Sequence, residues 1–309
     1  MIRFLAPRLA RAALTILLVV TFAFVGLRLT GDPALLIMGD NAPPDAVAAF
    51  RAAWGLDAPL WQQYVTYGAA VVRGDLGLSM RDGRPAVALV AERVPATLVL
   101  MLPALALKLG LGLSAGIAAA LYRGRFVDRV VTTLAVLGFA VPSFVLGLIL
   151  VLIFAVELRW LPSGGQETWR HAVLPVVTLG LGGAAALARL TRSAMLDVLG
   201  QPYIRAARAR GLPWGRIIRC HALPNAAIPL LTLGGFLVGS LLAGSVVVES
   251  VFSWPGVGRL LVVSVASRDL AVVQGLLLLT ATTTVTANLI VDLLYGLLDP
   301  RLRAGAAPR

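Results

Sequence analysis

Residues 97–121 read TLVLMLPALALKLGLGLSAGIAAAL, an apolar run in which Lys108 is the single ionisable side chain. An α-helix rises about 1.5 Å per residue, so this run is long enough to cross the roughly 30 Å hydrocarbon core of a bilayer. The whole chain has the same character, because 59% of its 309 residues are apolar and only 14% are charged. The composition therefore predicts an all-α integral membrane protein and excludes an ordinary soluble domain.

Six apolar windows of about 20 residues can be placed along the chain. They cover residues 9–29, 97–121, 130–154, 173–190, 226–248 and 272–294. These windows predict a first transmembrane helix with a basic N-terminus (1–29), a long extracytoplasmic segment (30–95), a five-helix core (96–298) and a cytoplasmic tail (299–309). An even number of spans places both termini on the same side of the membrane.

The net charge of +12 could indicate nucleic-acid binding, but the arginines flank the apolar spans and do not form one exposed face. With both termini inside, the inner segments hold sixteen arginines against three acids, and the outer segments hold ten against eleven. Cytoplasmic loops of membrane proteins are enriched in arginine and lysine. The asymmetry predicts an N-in, C-in topology with no nucleic-acid partner.

The most arginine-rich connection is the inner loop at residues 191–225, which contains YIRAARARGLPWGRIIRCHALPN at 203–225. The spacing predicts a short helix, a left-handed residue at Gly211 and a second short helix that begins near Pro213. Two interpretations stay open from the residues alone. The pair of helices could dock a partner protein, or it could rest on anionic lipid headgroups.

This inner loop resembles the EAA loop of ABC-importer permeases, in which E-A-A is followed by a glycine and by I-x-L-P. The matching residues are Ala206, Ala207, Gly211, Leu223 and Pro224. Arg205 stands in place of the glutamate and His221 in place of the isoleucine, as in the peptide and nickel branch of that family. The resemblance therefore implies that this loop is a docking site for an ATPase. The implied docking residues are Arg205, Ala206, Ala207, Arg208, Gly211, Leu212, Leu223 and Pro224.

Other segments resemble the same branch in the same order, among them GDLGLS at 74–79, RVPATL at 93–98, VFSWPGVGRLL at 251–261 and NLIVDLLYGLLDPR at 288–301. The resemblance implies the type I importer fold, also called MetI-like, in a bacterial inner membrane. It implies a complex with a second permease subunit, two cytoplasmic ATPases and an extracytoplasmic binding protein, with membrane lipid around this chain. The expected cargo is a dipeptide, an oligopeptide, a nickel chelate or a glutathione-like solute.

The chain itself is not expected to be an enzyme. It has no G-x-x-x-x-G-K-[ST] phosphate loop, so we expect ATP and magnesium to bind to partner subunits and no cofactor to bind to this chain. With one cysteine, and with His171 and His221 on opposite sides of the membrane, no metal site is expected either.

Five residues inside the spans are candidates for the translocation path: Lys108, Pro142, Ser143, Gly235 and Gly239. Lys108 could attract a substrate carboxylate, or it could serve structural pairing or extend to water. Pro142 interrupts the third span, and such breaks often line cavities. The glycines fit close helix packing as well as a path.

On the outer side, the VFSWPGVGRLL segment supplies four candidates for a gate or a contact with the binding protein: Phe252, Trp254, Pro255 and Arg259. Anchoring of the aromatic rings at the membrane interface is the alternative explanation.

Two other classes of function remain for the whole chain. A secondary carrier or channel would work without an ATPase, and an intramembrane enzyme would need a nucleophile with its base or a metal site.

Overall fold

The computed structural model describes residues 2–29, 33–39, 42–240, 242 and 244–298. The predicted tail at 299–309 lies outside this described part, as does the side chain of Asp292, the acidic residue within the last predicted span. Regular structure within the described residues is helical, apart from one antiparallel bridge between Leu78 and Pro85. The all-α prediction is confirmed.

Fourteen helices follow one another along the described residues, most of them with short connections. In chain order they are α1 (Ile2–Leu29), α2 (Pro33–Met38), α3 (Pro44–Ala53), α4 (Leu60–Val72), α5 (Ala86–Leu121), α6 (Phe126–Ala140), α7 (Ser143–Val151, continued by a π-helical turn Leu152–Glu157), α8 (Trp169–Leu199), α9 (Pro202–Ala209), α10 (Trp214–Ile217, continued by a π-helical turn Ile218–Ala222), α11 (Leu223–Gly239), α12 (Val246–Val251), α13 (Val257–Ala266) and α14 (Leu270–Leu298).

Four helical segments within the described residues are long and apolar enough to cross a membrane. These are Ala6–Gly26, Ala86–Leu121, Trp169–Leu199 and Leu270–Val291. The pair formed by α6 and α7 with its π-helical turn is bent by 97°, and it counts as a fifth span if it crosses the membrane as one broken helix and not as a re-entrant loop. The remaining predicted span, at 226–248, is divided between α11, which has 17 residues, and α12. The described part of the chain therefore holds four or five spans by length, and six stays a prediction.

The bend between α6 and α7 follows directly from Pro142. A residue before proline is driven out of the helical region, and Val141 accordingly has φ −88° and ψ 118°. Pro142 then begins the next helix as its N-cap residue, with φ −56° and ψ 140°. The predicted interruption of the third span is confirmed.

Helix α8 is central, because it packs against α5, α6, α7 and α11. Its contact with α5 is close because glycines replace larger side chains along the seam. A Cβ atom added to Gly112 would lie 2.8 Å from Cβ of Leu187, and one added to Gly116 would lie 2.5 Å from the carbonyl oxygen of Ala188. Small residues spaced in this way allow membrane helices to approach backbone to backbone. The α5–α8 pair is the frame on which the functional segments are mounted.

Candidate functional site

The predicted docking loop folds as a helix, a turn and a second helix below α8. Ile204, Ala207 and Ile217 are 2%, 6% and 0% exposed, and they pack with Met195 of α8 and Ala120 of α5. These apolar contacts fix the loop to the C-terminal ends of both central helices. A movement of the loop would therefore be transmitted to the α5–α8 frame.

Gly211 makes the turn between α9 and α10, with φ +75°. Its N–H donates to the carbonyl of Arg208, and the N–H of Leu212 donates to the carbonyl of Ala207, which closes the end of α9. The left-handed conformation favours glycine, because a side chain there costs about 1–2 kcal/mol. The predicted left-handed residue is confirmed, and Pro213 precedes α10 as its N-cap residue.

The eight predicted docking residues divide into an outward set and an inward set. Arg205, Ala206, Arg208, Gly211 and Pro224 are exposed. The guanidinium of Arg208 lies 4.3 Å from the centre of the Trp214 ring, so a cation–π contact holds it at the turn.

The inward set supports the loop and offers little surface to a partner. Ala207 is buried, and Leu212 and Leu223 are half-buried against the apolar cluster beneath. The exposed set is therefore the part of the prediction that a partner could touch.

An ion pair that the sequence did not reveal braces the same end of the bundle. Asp128 in the first turn of α6 accepts hydrogen bonds from Arg192 of α8, at 2.5 Å to Nε and 2.9 Å to Nη2. The N–H of Gly124 donates to the same carboxylate at 2.8 Å. Bidentate pairs of this kind fix orientation as well as distance, so α6 is tied to α8.

Three of the five predicted path residues come together beside one turn of α8. The stem of Lys108 lies along Gly183, since a Cβ atom added to that glycine would be 2.5 Å from Cε of Lys108. The neighbouring Gly182 faces Ser143, which follows Pro142 at the break between α6 and α7. Lys108 is half-buried, and no carboxylate of the described residues forms an ion pair with it. An amine without an acidic partner among the described residues therefore lies near an interrupted helix.

An apolar groove of about 430 Å³ lies next to this break, between α5, α6, α7 and α8. Gly138 and Val141 line it from the α6 side, and Gly182 and Ala185 line it from α8. The lining residues of this groove are apolar, so it offers apolar contact and no polar side chain that could select a solute.

Gly235 and Gly239, the other two predicted path residues, lie where α11 packs on α14. A Cβ atom added to Gly235 would lie 2.2 Å from Cγ2 of Val291, and one added to Gly239 would lie 3.4 Å from Cα of Thr284. Both glycines therefore allow α11 to pack closely on α14. The packing explanation fits them, and they do not share the surroundings of Lys108.

The turn between α12 and α13, which the sequence predicts to be an outer turn, differs from its sequence interpretation. Phe252 and Trp254 are 1% and 4% exposed, within a cluster that includes Leu100 and Leu174. The indole N–H of Trp254 donates to the carbonyl of Ala96 at 2.8 Å. Anchoring of these rings in the lipid interface is therefore wrong. Pro255 and Arg259 are half-buried and remain at the surface of the turn.

A buried carboxyl group organises this outer turn. Glu249 of α12 is 0% exposed and accepts hydrogen bonds from the hydroxyls of Thr97 and Ser245, each at 2.7 Å, and from the N–H of Arg259 at 3.0 Å. Thr97 also accepts a hydrogen bond from the N–H of Val257 at 2.8 Å. One side chain thus joins α5, α12 and the start of α13.

Gly256 makes room for this carboxyl group, and Gly258 lets the start of α13 approach the backbone of Val246 as well as the carboxyl group. A Cβ atom added to Gly256 would lie 2.4 Å from Oε1 of Glu249, and one added to Gly258 would lie 3.1 Å from its Oε2. Glu249 is not among the residues predicted from the sequence. The available signal was an acid at the end of an apolar span, followed by glycines at 256 and 258.

The described residues contain no group of three or more His, Cys, Asp or Glu side chains that could hold a metal ion.

The known proteins to which this chain is similar are membrane components of transport systems. Residues 112–304 match the family described as "Binding-protein-dependent transport system inner membrane component", and residues 1–101 match the family of its N-terminal region. The glutathione transport system permease protein GsiC of Escherichia coli (strain K12) is 44% identical over 290 residues, which are 94% of each chain. The protein of that name from Salmonella choleraesuis (strain SC-B67) is 45% identical over the same share.

Among solved structures, a chain of the inward-facing MetNI methionine ABC transporter superposes with a TM-score of 0.53 at 21% identity. The match covers 71% of this chain and 97% of that one. The fold is therefore of the MetI-like type.

Proposed function

This chain belongs to the family of binding-protein-dependent transport system inner membrane components, and from that membership we propose that it carries glutathione or small peptides into the cytoplasm. It is a permease subunit of an ABC importer. The single observation that carries the choice of substrate is 44–45% identity to glutathione permeases across 94% of both chains. A nickel chelate or a longer oligopeptide is the nearest alternative in the same branch.

In the proposed complex, this chain pairs with a second permease subunit, and two cytoplasmic ATPases bind and hydrolyse ATP with magnesium. A binding protein delivers the solute from outside. The chain itself supplies the path and carries out no chemistry. Alternating access follows if ATPase closure moves the docking loop, since that loop is packed on the inner ends of α5 and α8.

We propose six spans with both termini cytoplasmic, with α11 and α12 together forming the span that the length criterion leaves out. The arginine asymmetry between the two sides supports this orientation. In this proposed orientation, the docking loop with Arg205, Arg208 and Gly211 lies on the side where ATP is available. In the same orientation, the Glu249 turn lies outside, and we propose that it serves as a gate. Direct contact with a binding protein fits less well, because burial leaves little of the Phe252 and Trp254 rings exposed.

The path is proposed to pass Lys108, where the broken helix and the glycines of α8 meet. Glutathione and peptides carry free carboxylates, and an ammonium group at low dielectric attracts them strongly. Lys108 has no acidic partner among the described residues that would neutralise it. The alternative is that Lys108 only extends along Gly183 to reach water.

Replacing Lys108 by methionine tests both the path and the class of substrate. We expect uptake of labelled glutathione to fall about tenfold, the equivalent of about 1.4 kcal/mol, because methionine keeps the stem but removes the charge. Lys108→Arg should keep most of the uptake. In the wild type, a dipeptide should compete with glutathione better than its C-terminal amide does. Unchanged uptake by a correctly assembled Lys108→Met complex would remove Lys108 from the path, and failure of the wild-type complex to take up either glutathione or a dipeptide would remove the proposed substrate class.

A further inference from the structure

Helix α4 lies in the segment between the first two spans and packs one of its faces on α1. The hydroxyl of Tyr64 is 2.7 Å from Oγ1 of Thr21. The ring of Phe24 contacts Tyr64 edge to face at 5.3 Å and stacks on Tyr67 at 5.8 Å. This face of α4 is therefore attached to the carboxyl-terminal part of the first span.

A second side of α4 carries an uncovered apolar stripe, which is bordered by the exposed Gln62 and Thr66. Trp61, Val65 and Val72 are 70%, 61% and 88% exposed, and Ala69 completes the stripe at helical spacing. The thirteen residues of α4 include no Asp, Glu, Lys, Arg or His. A helix that lay in water would be expected to carry charge on its exposed face.

The depth of the contact places α4 beside lipid. Thr21 lies six residues before Leu27, the last apolar residue of this run ahead of Arg28. At about 1.5 Å per residue, Tyr64 thus meets α1 about 9 Å inside the end of the apolar run. Helices that lie in the membrane interface bury their apolar face to a depth of about 5–10 Å.

Helix α1, to which α4 is attached, also has exposed apolar side chains within its span. Leu14, Leu18 and Phe22 of α1 are 54%, 59% and 75% exposed within the span Ala6–Gly26. Tryptophan and tyrosine are the residues favoured where acyl chains meet headgroups, and α4 carries Trp61 near its start with Tyr64 and Tyr67 on its other face.

We propose that α4 is a membrane-embedded helix of the outer leaflet, with lipid acyl chains on its Trp61–Val65–Val72 face. The segment between the first two spans is then not wholly extracytoplasmic: α4 is anchored to α1 and immersed beside it. The outer end of α1 would thereby be braced in the plane of the membrane.

Collision-based electron paramagnetic resonance on the full importer complex in liposomes tests this proposal. Cys220, the only cysteine, is first replaced by serine, and a spin label is then attached at Val65→Cys. Phe22→Cys on α1 is the lipid control, and Asp57→Cys, in the exposed turn before α4, is the water control. Oxygen partitions into lipid, whereas a water-soluble nickel chelate stays out of it.

The expected result is a depth parameter, the logarithm of the oxygen-to-nickel collision ratio, that is positive at Val65 as at Phe22 and negative at Asp57. Strong collision with the nickel chelate at Val65 would mean that the face lies in water, and the proposal would be wrong. Weak collision with both reagents would mean that a protein covers the face, and this too would overturn the proposal. Ala69→Cys, on the same stripe, repeats the measurement if the label at Val65 prevents assembly.

Discussion

Glu249→Ala is expected to abolish transport and to destabilise the packing of α5, α12 and α13 around the outer turn by about 3–5 kcal/mol. The substitution removes the acceptor of two hydroxyls and one backbone N–H, and each polar group left buried without a partner costs about 1–3 kcal/mol. The cavity left by the missing side chain adds to this cost. The melting temperature in detergent and the uptake of labelled solute are the measurements.

Glu249→Gln is the matched control, because it keeps the shape of the side chain. Its amide oxygen can accept from the N–H of Arg259, and its amide nitrogen can donate to the hydroxyls of Thr97 and Ser245, which rotate to accept. Most of the stability and transport should therefore return. If alanine were tolerated as well as glutamine, Glu249 would not be what holds the turn between α12 and α13.

Gly211→Arg is expected to reduce both the association of the ATPases and the ATP-driven uptake about tenfold or more. No atom lies within 4 Å of the position that a Cβ of Gly211 would take, so the new side chain fits the fold of the chain itself. It projects from the exposed turn at which the partner is proposed to dock. A bulky group at the centre of an interface can cost about 2–4 kcal/mol in binding.

Gly124→Arg is the control for this variant. Gly124 has φ +76°, has open space around it, and lies in the α5–α6 connection on the same proposed side of the membrane. Both variants carry the same backbone strain of about 1–2 kcal/mol, so a difference between them reports docking. Gly211→Ala separates the strain from the bulk of the side chain. Equal ATPase recovery with Gly211→Arg and with the wild type would refute docking at this turn.

The parts of the fold that depend on local pattern could be predicted from the sequence. The apolar runs predicted the long helices, Pro142 predicted the break, and Gly211 predicted the turn of the docking loop. Helix ends were less predictable. Helix α5 begins at Ala86, eleven residues before the predicted span, because a membrane helix can extend beyond the bilayer without any change of pattern.

The fifth predicted span shows a limit of hydropathy. Residues 226–248 are continuously apolar or small, yet α11 ends at Gly239 and α12 begins at Val246. Hydropathy measures transfer to lipid, whereas continuity of a helix depends on backbone propensity and on what the neighbours supply. Glycine and serine near the interruption lower that propensity without lowering the hydropathy much.

The outer turn could not be predicted because its contacts are distant in sequence. Trp254 donates to the carbonyl of Ala96, 158 residues earlier, and Glu249 accepts from Thr97, 152 residues earlier. No local spacing connects these residues. Their burial depends on the contact between α5 and α12 in the folded chain. In this protein, a segment whose pattern is typical of an interfacial turn is therefore buried in the core.

Uptake into proteoliposomes that contain this chain with its partner permease and ATPase subunits separates an ATP-driven importer from a secondary carrier. Labelled glutathione or a labelled dipeptide is added outside with the binding protein, and ATP is trapped inside. We expect accumulation only when ATP, the ATPases and the binding protein are all present, and loss of accumulation with Gly211→Arg. Accumulation driven by an ion gradient without ATP or ATPase would contradict the importer mechanism and identify a secondary carrier.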